Sequence, residues 1–395
     1  AHNCAWGSAT ASKVNTFGMD RLMAELAWFA VHQIGFIYGA SANFGLLFDR
    51  DHALAQYMAN LKRDFGFPLR FMVNTSKNAT ERIFKLSKLL HDAGLSKGAT
   101  LSMQSWDEQT LVAIGRNNIK LSTYEKLQGL FRAEGIPTYG ELILALPGET
   151  LESFCAGIDK CIDGGQHDGL FVYLNRVLPG TEQADPAYRA LHGIETVRLP
   201  IQANHGSFDA ATVGPTEYEE TVVATKMMPH ADWLEAQRIA WFVEVFFVLG
   251  IARLPLLWLR ERGVQVTEFA RWALRCDVLD RARIEAYLVS QDRGAPEVPR
   301  DGLDVFGSIR WPIEEASWLA LMSQKDRTYV ELSSLFRSFI DTRGLSLMGL
   351  LPIEVNRQRL KHWTDGVSPG DPAAFARDVL WYGRRGVSML RPEEP

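Results

Sequence analysis

Residues 141–163 read ELILALPGETLESFCAGIDKCID, a short apolar run that ends at Leu146 and passes through Pro147 and Gly148 into an amphipathic segment of helical period. The same pairing recurs across residues 17–179. Apolar, β-rich runs are IGFIYG ending at Gly39, LRFMVN ending at Asn74, ATLSMQ ending at Gln104 and LFVYLNRVL ending at Leu178. Helical stretches such as MDRLMAELAWFAVHQ, DHALAQYMANLKRDF and NATERIFKLSKLLHDAG lie between them. Short runs of strand type alternating with segments of period 3.6 read as βαβ units. Right-handed crossovers lay the helices on the outer face of a parallel sheet, so the class is α/β, as a barrel or as an open doubly wound sheet.

Polar residues collect where these runs end: Ser41 and Asn43, Asn74 and Thr75, Gln104 and Ser105, Gly148 and Glu149. Ligands of parallel α/β folds bind at the carboxyl ends of the strands. Any one pair reads equally well as ordinary loop residues, but four in succession point to a site. No glycine-rich dinucleotide fingerprint or phosphate loop follows a strand, and no zinc-protease helix or nucleophile elbow is present.

The chain of 395 residues exceeds one ordinary core, which predicts two domains: 1–200 for the alternating part and 201–395 for a helix-rich part, with an irregular linker at 201–230. Helices are predicted around 231–249, 265–290, 313–323 and 328–342, and tryptophans such as Trp233, Trp241, Trp272 and Trp318 are expected to fill their core. A net charge of -5 gives no basic footprint for nucleic acid. Four irregularly spaced cysteines make no disulfide framework and suggest a reducing, cytoplasmic setting. Trp241–Leu259 is apolar enough to suggest a membrane span, but Glu244, Arg253 and Pro255 interrupt it, and a buried helix pair broken near Gly250 and Pro255 is expected instead.

Four motifs in order carry a resemblance: CAWGSATASKVNTF from Cys4, LSMQSWDEQTLVAIGR from Leu101, LILALPGETLESF from Leu142 and RVLPGTEQADPAYR from Arg176. Together they resemble the radical S-adenosylmethionine (SAM) superfamily, in its cobalamin-dependent branch. The resemblance implies a partial (β/α)6 TIM-like barrel lacking its first strand, followed by the helix-rich domain. It implies a [4Fe-4S] cluster, SAM and, in the intact parent, cobalamin, used for methyl transfer to, or a related modification of, an unactivated carbon of a small-molecule or natural-product substrate. An electron donor such as a flavodoxin or ferredoxin is implied as partner, with no nucleic acid and no membrane.

Position by position, Cys4 resembles the third cluster ligand, and Trp6 and Gly7 the residues that shape its loop. Ser41 and Asn43 occupy the place of the second-strand motif that meets the SAM amino group. Asn74, Gln104 and Ser105 would reach the ribose or methionine end, and Arg116, read on the next helix, would pair with the carboxylate. The Leu146–Gly148 backbone would approach adenine. The middle cluster cysteine falls at Ala1 and the first lies upstream, so the chain is read as an N-terminally truncated fragment with one cluster thiolate and no turnover of its own. Ala1 also leaves open a noncatalytic barrel serving as a binding or assembly module. An unrelated barrel lyase or aldolase is weaker, with only Glu149 well placed.

Overall fold

A computed structural model describes residues 16–75, 80–96, 98–201, 215–276, 281–292 and 311–360. After α1 (Met19–Val31), strand β1 (Phe36–Phe44), helix α2 (Phe48–Phe65) and strand β2 (Arg70–Thr75) form one βαβ unit with a parallel ladder. Helix α3 (Thr80–Asp92) leads to a second parallel sheet of β3 (Ala99–Gln104), β4 (Thr138–Leu144) and β5 (Gly169–Leu174), ordered as in the chain. Its connections are α4 (Glu108–Ala113), α5 (Leu121–Ala133) and α6 (Leu151–Asp163). Among the described residues no ladder joins β2 to β3. The expected α/β class and parallel strands are present, with the ladders in two sheets.

Two strand ends differ from the sequence reading. The first run continues through Ser41 and Asn43 to Phe44, with a register shift after Gly39, so both polar residues lie inside β1 and not beyond it. The last run is not one strand. It breaks at Asn175, and β6 (Arg176–Val177) turns away to pair antiparallel with β8 (Tyr218–Ala224), which also pairs with β7 (Glu195–Pro200) after α7 (Pro186–His192). Pro186 opens α7 behind the Asp185 cap, whose carboxylate accepts from the Ala187 and Tyr188 amides.

Alternation along the strands sets the layers. Leu101, Met103, Leu142, Leu144 and Leu170 point to the helices and are buried in one apolar cluster that runs from Ala99 to Leu360. A smaller cluster under β1 and β2 holds Phe44, Met58, Phe71 and Leu86. The α3–α5 seam joins them through an edge-to-face contact of Phe84 with Phe131 (5.3 Å) and a Lys88–Glu134 bond of 2.7 Å.

The larger cluster contains helices α8 (His230–Phe242), α9 (Arg253–Arg260), α10 (Val266–Ala273), α11 (Arg281–Asp292), α12 (Ile313–Ser323), α13 (Lys325–Arg343) and α14 (Leu351–Arg359). Trp233, Trp241, Trp311 and Trp318 are buried in it, with Trp258 and Trp272 packed at its border. No single helix among the described residues is long and apolar enough to cross a membrane. The apolar stretch forms a pair, 230–248 and 253–260, bent by 105°. The first arm ends in a π-helical segment, Val243–Val248, and the chain turns at Gly250, whose φ of +90° favours glycine. Pro255 falls within the first turn of α9, where its missing N–H costs little.

The break leaves carbonyls without helical partners, and buried side chains take them. Arg253 donates to Phe247 O (2.9 Å) and Val248 O (2.5 Å), and Trp318 to Leu249 O (3.1 Å). Asn356 Nδ2 donates to Gly250 O and Ile251 O, each at 2.8 Å, while its Oδ1 accepts from Leu254 N at 3.1 Å. Replacing one fully buried amide would strand several groups at once. Asn356→Leu is expected to lower the unfolding free energy by about 3 kcal/mol, at the upper end for stranded buried polar groups. Urea denaturation checks this, and a loss within the ordinary surface range of about 0.5 kcal/mol would show that other contacts hold the break.

Candidate functional site

The chain enters strained conformations at two neighbouring strand ends. Gln104, the last residue of β3, has φ +64°, and Ala145, just past β4, has φ +64° as well. Left-handed backbone costs a non-glycine residue about 1–2 kcal/mol, and such residues cluster where structure serves a ligand. The side-chain Oε1 of Gln104 is buried without a partner among the described residues.

Beside it the chain folds back, with Ser105 N donating to Met103 O at 2.9 Å. Ser105 Oγ donates to Glu149 Oε1 at 2.7 Å and accepts from Asp107 N at 3.2 Å. Glu149 is 2% exposed. Burial pushes its carboxyl up to about 8, against the Ser105 hydroxyl, with the Asp107 carboxylate adding to the rise. Asp107 caps α4 through Thr110 N at 2.8 Å. Gly148 seats that helix: its φ is +91°, and a Cβ there would come within 3.2 Å of Thr110 Cα.

Arg116 lies in the loop after α4, not on the next helix as expected, because α4 ends at Ala113 and α5 begins only at Leu121. Its Nη2 donates to Ser102 O (3.1 Å) and its Nε to Asn118 Oδ1 (2.9 Å). Asn118 Nδ2 in turn donates to Met103 O (2.8 Å) and Ser105 O (2.6 Å). On the far side, buried Asn175 donates to Ala145 O (3.0 Å) and accepts from Gln183 (3.1 Å). Sequence reading missed Asn118 and Asn175; a lone asparagine inside the apolar run LFVYLNRVL was the available signal.

The face of this sheet turned from the helices is polar and aromatic. Ser102 bonds its register partner Glu141, and the rings of Tyr139, Phe171 and Tyr173 follow at 6.3 and 6.4 Å. Glu244, in the π-helical segment, accepts from Val172 N on the outer edge of β5 at 2.9 Å. Burial, with Glu314 adding to it, holds the Glu244 carboxyl well above the ordinary carboxylate range. On the other sheet Phe36, Tyr38 and Met72 are each more than half exposed, and Asn74 Nδ2 reaches Tyr38 OH at 3.5 Å.

Gln104, Ser105, Arg116 and Gly148 therefore converge on one network. Leu146 joins it only through its carbonyl, which accepts from Glu149 N, its side chain being fully buried. Ser41, Asn43 and Asn74 belong to the other sheet, where buried Asp51 holds the Gly45 amide at 2.6 Å. Cys4, Trp6 and Gly7 lie outside the described residues. Cys155 and Cys161 are buried with thiols pushed up to about 12, chiefly by burial, and the Trp106 indole donates to Cys161 Sγ at 3.1 Å. Neither supplies a thiolate, and no group of metal-holding side chains occurs among the described residues.

Over nearly all of its length the chain is similar to cobalamin-dependent radical SAM methyltransferase TokK of Streptomyces tokunonensis, with 33% identity across 98% of this chain and 59% of that protein. This likeness places the chain with the cobalamin-dependent radical SAM proteins. It is also 34% identical, over 87% of its length and 52% of the other protein, to the 2-(S-pantetheinyl)-carbapenam-3-carboxylate methyltransferase of Streptantibioticus cattleyicolor. The chain thus spans between half and three-fifths of these curated relatives. No protein-family model matches it. Among solved structures it overlaps the radical SAM methyltransferase TsrM of Kitasatospora setae, bound to tryptophan and a SAM analogue, over 57% of this chain and 46% of that one (17% identity, TM-score 0.41). The radical SAM enzyme HemN of Escherichia coli overlaps 45% of this chain and 42% of its own (18% identity, TM-score 0.34).

Because Arg116 ties the loop to a strand carbonyl, its loss has a structural cost apart from any ligand. Arg116→Ala is expected to lower the unfolding free energy by about 1–3 kcal/mol, the range for a carbonyl stripped of its charged donor. Chemical denaturation measures it, and a change below about 0.5 kcal/mol would show that the guanidinium is dispensable to the fold.

Proposed function

We propose that this chain carries the SAM-binding part of a cobalamin-dependent radical SAM enzyme that methylates an unactivated carbon of a small molecule. The observation that carries the reading is the end of β3, where a strained Gln104 presents a buried, unpartnered carbonyl oxygen and the Arg116 loop returns to the same tip. Those groups suit SAM, which offers an ammonium and hydroxyls as donors and a carboxylate as acceptor. Gln104 would accept from the donors, and the Arg116 guanidinium would face the carboxylate. Ser41, Asn43 and Asn74 would complete the amino and ribose side, with the backbone at Leu146 and Gly148 nearest the base. Ser105 is given a different role, since its hydroxyl is committed to Glu149.

The reading takes the two parallel sheets as walls of one partial (β/α)6 barrel, residues 1–200, with 201–395 as its helical cover. The cluster is assigned to Cys4, with Trp6 and Gly7 shaping its loop, because Cys155 and Cys161 are protonated core residues. Bound cofactors would supply one-electron cleavage of the sulfonium and a methyl group carried on cobalamin. This chain's residues would hold SAM, orient it and keep water from the reacting atoms. A flavodoxin or ferredoxin would provide the electron. The carbapenam methyltransferase relative supports a small-molecule substrate.

Two measurements test the reading, the first on the full chain. Gln104→Ala should weaken SAM binding by about tenfold in titration calorimetry, equivalent to about 1.4 kcal/mol, with an unchanged melting temperature. Unchanged affinity would remove the site from the end of β3. In a longer parent chain that supplies two further cluster thiolates, Cys4→Ala should abolish iron and sulfide uptake in anaerobic reconstitution, and full uptake by that variant would remove Cys4 as the anchor.

A further inference from the structure

We propose that Glu149 is a positioning residue that works as an uncharged acid, bridging the ends of β3 and β4 through Ser105 and so holding Gln104 in its left-handed turn. This rests on the SAM site proposed above and adds to it a group that acts through its neighbour.

The geometry carries the inference. Glu149 follows β4 and its carboxyl reaches Ser105, the residue after Gln104, at 2.7 Å. It is 2% exposed, yet among the described residues no cation bears on it. The charged group bearing on it from α4 is Asp107, an anion, while the nearby Arg116 is turned to Ser102 O and Asn118. A buried carboxylate without a cation is strongly disfavoured, and a proton removes the penalty. Glu149 Oε2 is buried and has no hydrogen-bond partner among the described residues, which leaves it as the oxygen to carry that proton. The Ser105 hydroxyl is then oriented at both ends, donating to Glu149 and accepting from Asp107 N. That fixes the peptide that follows Gln104, whose conformation would otherwise relax.

The consequence is a pH dependence of unusual sign for a carboxyl group. The folded-state pKa is raised from 4.5 to about 8, so the contribution to stability is complete at low pH and is lost as pH rises from the ordinary carboxylate range to about 8. Ionisation sets Glu149 against Asp107 and against its own burial. The carboxylate is driven toward water, Ser105 is released, and the tip of β3 loosens.

The test uses the full chain, comparing wild type with Glu149→Gln, which keeps the shape and cannot ionise, and with Glu149→Ala. Thermal melting between about pH 5 and pH 9 should show a steeper decline in the wild type than in Glu149→Gln, in which the raised carboxyls of Glu244 and Asp159 still contribute. SAM affinity of the wild type should fall about tenfold further than that of Glu149→Gln from about pH 7 to pH 9, the titration of the SAM ammonium being common to both, and be low throughout in Glu149→Ala. The infrared difference between wild type and Glu149→Gln should show a protonated carboxyl band at neutral pH that is lost above about pH 8, the Glu244 contribution being common to both proteins. Parallel melting and binding profiles for wild type and Glu149→Gln, or no such band, would overturn the proposal. Diverging melting profiles with no SAM binding at any pH would uphold the bridge and overturn the SAM site.

Discussion

Parallel strands that end side by side leave backbone carbonyls that no further ladder can pair, and the second sheet of this protein is organised around that deficit. Side chains from outside the strands meet it. Arg116 takes Ser102 O, Asn118 takes Met103 O and Ser105 O, and Asn175 takes Ala145 O. Each donor stands on a loop that would otherwise be loosely held, so satisfying the strand also fixes the loop. The left-handed residues Gln104 and Ala145 are tolerable only inside such a frame, because their strain is outweighed by bonds that need that conformation.

The same logic extends to the edge of the sheet and into the helices. Val172 N on the outer edge of β5 would be an exposed ladder donor, and Glu244 caps it from the π-helical segment. Asp159 on α6 receives Thr267 N at the start of α10, with its carboxyl pushed up to about 6 by burial. Continuous apolar packing from Ala99 to Leu360 joins both parts. The helices after residue 230 are thus part of what gives the strands one conformation, whatever they add to a binding cavity.

Local pattern made much of this legible in the sequence. ATLSMQ forms a strand with the expected end at Gln104, and the helix at 313–323 has its expected bounds, because each is a short run opened by a breaker, Gly98 before the one and Pro312 before the other. The convergence of Gln104, Ser105 and Gly148 was also legible, since strand ends share a side of any parallel sheet. What escaped was decided by distant partners. Arg116 sits in a loop because α4 stops after six residues, and LFVYLNRVL splits because Asn175 finds Ala145 O thirty positions away. Asp51, buried against the Gly45 amide, and Glu244, buried on a strand edge, look like solvated charges until the fold supplies their partners.

The two sheets offer a ligand unlike surfaces. The ends of β3 and β4 are a tight polar frame with few unsatisfied atoms, Gln104 Oε1 and Glu149 Oε2 among them, so they can fix orientation but provide little area. The β1–β2 face shows Phe36, Tyr38 and Met72 more than half exposed, apolar surface whose burial would be worth about 25 cal/mol per Å². Cofactor and substrate sites commonly combine a largely apolar wall with a few convergent polar groups. In the proposed barrel the first sheet would supply the wall and the second the polar groups. Affinity and orientation would then come from different sheets, and a substitution at Tyr38 or Met72 would act on the first while leaving the frame at Gln104 intact.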